Sequence, residues 1–168
     1  MYPTIIVGNF FENPDEIVAY SKIVNWHKAT EKDFWPGYRS DNLFHTNKKL
    51  HDEIVKKILK LYFGNTNCYV DSTNVQFSKI NYEDWVQHKH SRIHKDPFEL
   101  AAVIYLNKTN NMQTGTSLYD EQKRPKISVS NCFNTLVCYG GNNYHGATDL
   151  DKNERLTIVV FIDKIKEM

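Results

Sequence analysis

The chain has 168 residues, of which 40% are hydrophobic and 24% are charged, a composition that suits one globular domain and excludes an intrinsically disordered protein. Its net charge of +1 supplies no field that would attract nucleic acid or an anionic membrane, so we expect neither as a partner. Three cysteines without a C-x-x-C pair argue against a disulfide framework and a zinc knuckle, and fit free thiols in a reducing compartment. The N-terminus lacks a basic leader, and no run approaches the ~20 apolar residues of a membrane helix, so the sequence predicts a cytoplasmic protein.

The N-terminal part of the chain predicts two helices. The first covers residues 12–29, after a short strand at 4–7, and has a capping asparagine and a proline in its first turn. Residues 31–45 break the helical periodicity and predict a loop. The second helix covers about residues 47–63, with Thr46 able to cap it.

From residue 69 onward the pattern changes to short β-rich runs separated by turn residues. The runs are VQFSKI, LAAVIYLN, TSLYD, KISVS, FNTLVCYG and RLTIVVFID. We therefore expect one α+β, mainly β domain over residues 1–168. Its parts are a strand and two supporting helices in 1–65, and a jelly roll, or double-stranded β-helix, in 66–168.

The hexapeptide RIHKDP, residues 92–97, places a histidine and an aspartate two residues apart. Such side chains point to the same side of an extended strand, so His94 and Asp96 could bind one metal ion. Pro97 favours this geometry, because a residue before proline is pushed out of the helical region. His145, near the start of a later strand, is the best third ligand, and two histidines with one carboxylate form the facial triad of non-haem Fe(II) oxygenases.

Two other pairs on the chain compete with this site. His88 and His90 also lie two apart, but no carboxylate stands at the correct offset behind them, so we expect solvated loop residues. His51 and Glu53 lie on a predicted helix, where side chains two apart diverge by about 200° and cannot bind one ion.

The run RLTIVVFID predicts a strand with two different faces. Arg155 and Thr157 share one face, whereas the other face is entirely apolar. An arginine buried on a strand needs a polar partner, because an unpaired buried charge costs several kcal/mol. A dicarboxylate would supply that partner.

These segments, taken in order, resemble the Fe(II)/2-oxoglutarate-dependent oxygenases, in the branch that contains the prolyl hydroxylases. The resemblance covers roughly residues 74–163. Its elements are the H-x-D pair, VIYLN at 103–107, GTSLY at 115–119, His145 and RLT beginning at Arg155. The segment PGYRS at 36–40 is similar to one in short members encoded by bacteriophages, which would place the protein in the host cytoplasm.

The resemblance implies that His94, Asp96 and His145 form the catalytic site and hold Fe(II). Arg155 would bind the distal carboxylate of the cosubstrate 2-oxoglutarate. Tyr105 occupies the place from which family members often add a tyrosine to that carboxylate. Thr157 would add a hydroxyl contact, and O2 and supporting ascorbate complete the expected cofactors.

The activity expected from this resemblance is hydroxylation of an organic substrate, a prolyl or other side chain of a protein or peptide, or a small molecule. Succinate and CO2 would be the coproducts. Tyr38, Arg39 and Trp85 are candidates for lining the substrate entrance, because loop aromatics and guanidinium groups often contact ligands.

Two alternatives stay open from the sequence. The first is a non-catalytic jelly-roll binding module with a vestigial or structural metal site. The second is a cupin-like metalloenzyme that uses another metal and no keto acid. The pairing of Arg155 with Tyr105 favours the oxygenase over the binding module, which has no use for a dicarboxylate clamp. Metal analysis and titration with 2-oxoglutarate would separate the cupin-like enzyme.

Overall fold

The structure is a computed structural model that describes residues 2–64, 68–88, 92–108, 110–150 and 152–167. These residues form a mainly β fold of antiparallel sheets with a few helices. The helices of the described ranges are α1 (Pro14–Ser21), α2 (Leu43–Thr46), α3 (Lys48–Phe63) and α4 (Tyr82–Gln87). The strands are β1 (Ile5–Val7), β2 (Trp26–Lys28), β3 (Tyr38–Ser40), β4 (Cys68–Ile80), β5 (Leu100–Tyr105), β6 (Asn111–Tyr119), β7 (Pro125–Asn131), β8 (Thr135–Gly140), β9 (Tyr144–Ala147) and β10 (Arg155–Glu167).

The strands form two sheets. The larger sheet has the strand order β1-β8-β5-β10-β4-β3-β2, and the smaller one has the order β7-β6-β9. Neighbouring strands in both sheets are antiparallel. The N-terminal strands β1, β2 and β3 therefore extend the same sheet that the C-terminal strands build.

The first helix and the following loop differ from the prediction. Helix α1 ends at Ser21, and residues 26–28, predicted as helix, form strand β2. The predicted loop at 31–45 contains strand β3 and helix α2. Strand β3 forms because it pairs with β2 on one side and β4 on the other, a tertiary contact that no local pattern shows.

The second helix is confirmed as α3, with one correction at its start. Its cap is Asn47, whose side chain accepts a hydrogen bond from the Leu50 N–H at 3.1 Å, and not Thr46. Gly64 ends the helix with φ of 71°, a conformation that glycine adopts at little cost. Helix α4 begins after Asn81, whose side chain caps it by accepting a hydrogen bond from the Asp84 N–H at 2.8 Å.

The two faces of β10 are chemically different, as the alternation predicted. Ile158, Val160 and Ile162 lie in the larger core, which also holds the apolar face of α3. Phe161 packs against a second cluster drawn from both sheets, which lies between them. We call the side of the larger sheet that faces this cluster the inner face. The cluster consists of Ala101, Val103, Tyr105, Leu118, Val129, Val137 and Tyr139.

All three cysteines are free thiols. Within the described ranges, every helix is too short or too polar to cross a membrane.

Asn134 fastens the N-terminal segment to the start of β8. Its amide group donates to the Phe11 carbonyl and accepts from the Phe11 N–H, both at 2.8 Å, and it is 4% exposed. Replacement by alanine is expected to cost about 2–4 kcal/mol of unfolding free energy, because two buried backbone groups lose their partners. Urea unfolding measures this loss. The exposed Asn25→Ala variant is the control and should lose less than about 0.5 kcal/mol; an equally small loss in Asn134→Ala would contradict the prediction.

Candidate functional site

The metal-ligand candidates lie where the segment before β5 meets β9. The His94 N–H donates to the His145 carbonyl at 3.0 Å, and the His145 N–H donates to the His94 carbonyl at 2.9 Å. The extended segment predicted at His94 is thus a single antiparallel bridge. One step further, the Asp96 N–H donates to the Gly141 carbonyl at 2.8 Å. These three hydrogen bonds fix the H-x-D segment against the β8–β9 turn.

The three side chains predicted as ligands converge on one point. One ligand atom from each of His94, Asp96 and His145 lies within 4.8 Å of the other two. His145 Nε2 is 3.1 Å from one carboxylate oxygen of Asp96, and His94 Nε2 is 3.6 Å from the other. His145 is buried, whereas the His94 side chain is 45% exposed. The group therefore has one covered side and one open side, as a metal that keeps positions for substrate requires.

The hydrogen bond to Asn143 determines which nitrogen of His145 faces Asp96. Its Nδ1 lies 2.9 Å from the carbonyl oxygen of Asn143, which can only accept a hydrogen bond, so Nδ1 carries a proton. In the neutral ring, Nε2 then presents a lone pair to the Asp96 carboxylate. Two electron-rich atoms at 3.1 Å need a shared proton or metal ion between them. The donor set of two imidazoles and one carboxylate fits Fe(II).

The electrostatics of His94 favour the form that binds a metal. Partial burial lowers the pKa of His94 below its ordinary value, and the neighbouring His145 lowers it further, while Asp96 acts in the opposite direction. A lowered pKa keeps the imidazole neutral to lower pH, and only the neutral imidazole can bind a metal ion.

Two glycines allow the backbone segments of the site to approach each other. A Cβ at Gly141 would overlap the carbonyl oxygen of Phe98, and a Cβ at Gly146 would overlap that of Arg92. Both glycines neighbour the triad, since Gly141 accepts the Asp96 N–H and Gly146 follows His145. The site therefore requires glycine at these two positions as well as the three ligand residues.

A second polar group lies between the two sheets. The Arg155 guanidinium is 3.4 Å from the Thr116 hydroxyl, which also accepts from the Tyr105 hydroxyl at 2.7 Å. Arg155 is 7% exposed, and its Nε atom has no hydrogen-bond partner within the described part of the chain. A buried guanidinium with an unused donor beside two hydroxyl groups is suited to binding a carboxylate.

Tyr139 and Thr157 complete the surroundings of this group. The Tyr139 ring lies 4.7 Å from the His145 ring, and Tyr139 is 2% exposed. Burial raises the pKa of Tyr139 well above its ordinary value, and the charges of Asp96 and Arg155 act on it in opposite directions, so its phenol stays neutral between the two groups. The Thr157 hydroxyl donates to the carbonyl of Ser78 on β4 at 3.4 Å.

The three substrate candidates occupy different surroundings. Arg39 stacks on Trp35, with its Cζ atom 4.7 Å from the ring centroid. Tyr38 is its neighbour on β3 and therefore projects from the opposite face of the sheet. Trp85 is buried, and the guanidinium of Arg92, two residues before His94, lies over its ring at 4.6 Å.

Of the other histidines considered as metal ligands, His88 and His51 do not join the triad among the residues that the structure describes. His90 lies outside the described residues. His88 is half-buried and borders a groove of about 540 Å³ beside α4. The ring nitrogens of His51 are 2.9 Å from the Asp52 carboxylate and 2.8 Å from the Thr73 hydroxyl, which gives this buried residue a structural role.

Three further residues of the site, Thr116, Tyr139 and Asn143, carry no signal in the sequence that would predict their positions. Thr116 stands in the GTSLY run, yet a strand threonine is ordinary, and only the meeting of two sheets brings it to Arg155. Tyr139 stands in a run of buried residues of β8, where an aromatic core residue is ordinary. Asn143 contacts His145 through its backbone carbonyl group, which every residue type has, so its identity gives no signal in the sequence.

Sequence comparison gives a family but not an activity. The profile of the DUF6445 family, described as a family of unknown function, matches residues 1–131, more than half of the chain. The chain belongs to the DUF6445 family. The matched range includes His94 and Asp96. No curated protein has a matching sequence.

Solved structures show the fold. A prolyl-4-hydroxylase of Pseudomonas putida has a TM-score of 0.65 at 11% identity, over 98% of this chain and 94% of that one. A 2OG-Fe(II) oxygenase family protein of Burkholderia pseudomallei has a TM-score of 0.64 at 13% identity, over 95% and 84%. A prolyl hydroxylase of Trichoplax adhaerens, in complex with a hypoxia inducible factor peptide fragment, has a TM-score of 0.66 at 14% identity, over 95% and 83%. This DUF6445 chain therefore shares the fold of 2-oxoglutarate oxygenases.

The role of Gly141 can be tested by metal binding. Gly141→Ala is expected to weaken Zn(II) affinity about 10–100-fold, the usual effect of displacing a group that orients a ligand, because the new methyl group pushes the Asp96 segment away. Titration against a chromophoric chelator measures the affinity.

Gly8→Ala is the matched control, since a Cβ at Gly8 meets nothing within 4 Å. Equal Zn(II) affinities of the two variants would contradict the role given to Gly141.

Proposed function

We propose that this protein is an Fe(II)/2-oxoglutarate-dependent oxygenase that hydroxylates an organic substrate and releases succinate and CO2. The observation that carries the proposal is the pairing of two groups between the same two sheets: the open triad and the buried Arg155 clamp. We also assign the two facing antiparallel sheets to a jelly roll, with the triad at one end of its interior. Location in the cytoplasm, of a host cell if the chain is phage-encoded, remains a prediction.

Each protein group has a defined task in this proposal. His94, Asp96 and His145 hold Fe(II), and the Asn143 carbonyl keeps the His145 ring in the tautomer that binds it. When bound, the iron supplies the reaction of O2 with 2-oxoglutarate that hydroxylates the substrate, with ascorbate as a supporting reductant. Arg155 binds and orients the distal carboxylate of the cosubstrate.

The hydroxyl groups around Arg155 refine that orientation. Tyr105 and Thr116 already share a hydrogen bond and can turn their donors toward a bound carboxylate, and Thr157 can add a third. Tyr139 covers the His145 ring and excludes water from the space between the iron and the clamp.

The open side of the triad supports a substrate that approaches over His94. A prolyl or other side chain of a peptide fits this proposal, and the fold shared with a peptide-bound prolyl hydroxylase supports it. The Nε atom of the buried Arg155 is a donor that no protein group uses within the described residues. This disfavours both alternatives, a binding module with a vestigial metal site and a metalloenzyme without a keto acid. Either would bury this charge with no ligand for it to bind.

Turnover without a known substrate tests the oxygenase directly. With Fe(II), ascorbate and O2, the protein is expected to convert 2-oxoglutarate slowly to succinate, which mass spectrometry measures. His94→Ala should lose at least about 100-fold of this rate, because two remaining ligands hold the iron poorly. His27→Ala, an exposed histidine on β2, should keep the wild-type rate. Succinate formation that persists in His94→Ala would contradict the triad.

The clamp is tested separately from the metal. Arg155→Met is expected to weaken 2-oxoglutarate binding roughly 100-fold or more, since charge-assisted hydrogen bonds contribute about 1.5–3 kcal/mol each. Zn(II) affinity should remain unchanged, because Arg155 does not touch the triad. Calorimetric titration of the Zn(II)-loaded protein with 2-oxoglutarate measures the loss, and unchanged affinity would contradict the assignment.

A further inference from the structure

Arg39 lies on the face of the larger sheet that carries the cosubstrate clamp. Arg39, Ser78, Thr157 and Tyr105 stand directly opposite one another across β3, β4, β10 and β5. Residues directly opposite in antiparallel strands project to the same side of a sheet. Because Tyr105 lies in the cluster between the sheets, the Arg39 side chain leaves β3 on the inner face.

The Arg39 guanidinium is held by aromatic rings and not by an anion. Its Cζ atom lies 4.7 Å from the Trp35 ring centroid and 5.5 Å from that of Phe161, and the Phe161 ring lies 4.9 Å from that of Phe98. Its Nε atom is buried without a hydrogen-bond partner, and the guanidinium forms no ion pair with any residue that the structure describes. Cation–π contacts offset part of the cost of such burial but use none of the N–H donors. The donors therefore remain free to bind a ligand.

The charge of Arg39 acts on the metal site without contact. Burial lowers the pKa of Arg39 to about 10, while the carboxylates of Asp96 and Asp33 raise it, so the group stays positive at neutral pH. In turn, the charge of Arg39 helps to lower the pKa of His94. Arg39 therefore interacts electrostatically with two members of the triad, Asp96 and His94, from its position on the inner face.

We propose that Arg39 binds a carboxylate group of the substrate, and that this enzyme acts on a small carboxylic acid or a carboxylate-bearing side chain. The inference rests on the function proposed above and names its substrate class. A carboxylate fits better than a phosphate, because one guanidinium forms two parallel hydrogen bonds to a carboxylate, and the other arginine of the inner face, Arg155, is assigned to the cosubstrate. The nearby Lys79 stands opposite Tyr38 and Leu156, and so projects from the other face.

Binding of matched ligand pairs tests this inference. The probes are the free L-amino acids, their C-terminal amides, and acetylated, amidated tripeptides with a central Asp, Glu, Asn or Gln. They are titrated into the protein loaded with Zn(II) and 2-oxoglutarate, which cannot turn over, and affinities are measured by saturation-transfer difference NMR. We expect at least one acid to bind ten or more times tighter than its amide. A preference among free amino acids assigns the carboxylate to a small substrate, and a preference for Asp or Glu tripeptides assigns it to a peptide side chain.

Variants at Arg39 then show whether this residue causes the tighter binding of acids over amides. Arg39→Met keeps the apolar stem over Trp35 but should lose the preference for acids, and Arg39→Lys should keep part of it. Arg124→Met removes an exposed arginine paired with Asp120 and should match the wild type. Thermal melting checks that each variant is folded, and if Arg39→Met unfolds, a weakened preference in Arg39→Lys serves as the expected result.

The outcomes separate this inference from the function on which it rests. The affinity for 2-oxoglutarate should change by less than about twofold in the Arg39 variants. Loss of that affinity would make Arg39 part of the cosubstrate site and overturn the inference. Equal binding of acids and amides, absence of any bound acid, or a preference for acids that persists in Arg39→Met would also overturn it. A wild-type protein that binds no 2-oxoglutarate would instead refute the proposed function itself.

Discussion

The candidate site depends on one backbone contact, the pair of hydrogen bonds between His94 and His145. The two residues lie 51 positions apart and reach the same point only because the segment before β5 forms a bridge with β9. The bridge places both rings on one side, 4.5 Å apart, and the hydrogen bond from Asp96 to Gly141 adds the carboxylate. A loop contact of this kind requires glycines, because any Cβ at Gly141 or Gly146 would occupy the space of the opposing backbone.

The interior between the sheets gives the site its chemical character. The outer face of the larger sheet is apolar and packs against α3, which accounts for much of the buried core. The inner face instead carries Arg155, Thr157 and Arg39 among aromatic rings, with buried N–H donors that the protein does not use. Donors of this kind reduce stability unless a ligand binds them, and the keto acid and the substrate carboxylate that we propose are both anions that would do so. One lies beside hydroxyl groups, and the other lies between aromatic rings.

The features that could be predicted from the sequence are those that depend on the periodic spacing of residues within one helix or strand. The sequence was sufficient to predict the two faces of RLTIVVFID and helix α3, because each depends on the spacing of neighbouring residues. The H-x-D pair was predicted from its spacing together with the resemblance of the surrounding segments. The sequence was not sufficient for strand β3, for the contact of Thr116 with Arg155, or for the position of Tyr139 beside His145, since each arises from pairing of remote strands. The error at α1 has the same origin. Residues 26–28 keep a helical pattern, but they pair with β3 instead.

The measurement that tests this account most directly is a crystal structure of the protein grown without oxygen in the presence of Mn(II) and 2-oxoglutarate. The account predicts one ion bound by the Nε2 atoms of His94 and His145 and by the Asp96 carboxylate, with the keto acid bound to the same ion and its far carboxylate on Arg155. An ion held by a fourth protein side chain, or a keto acid bound away from Arg155, would contradict it.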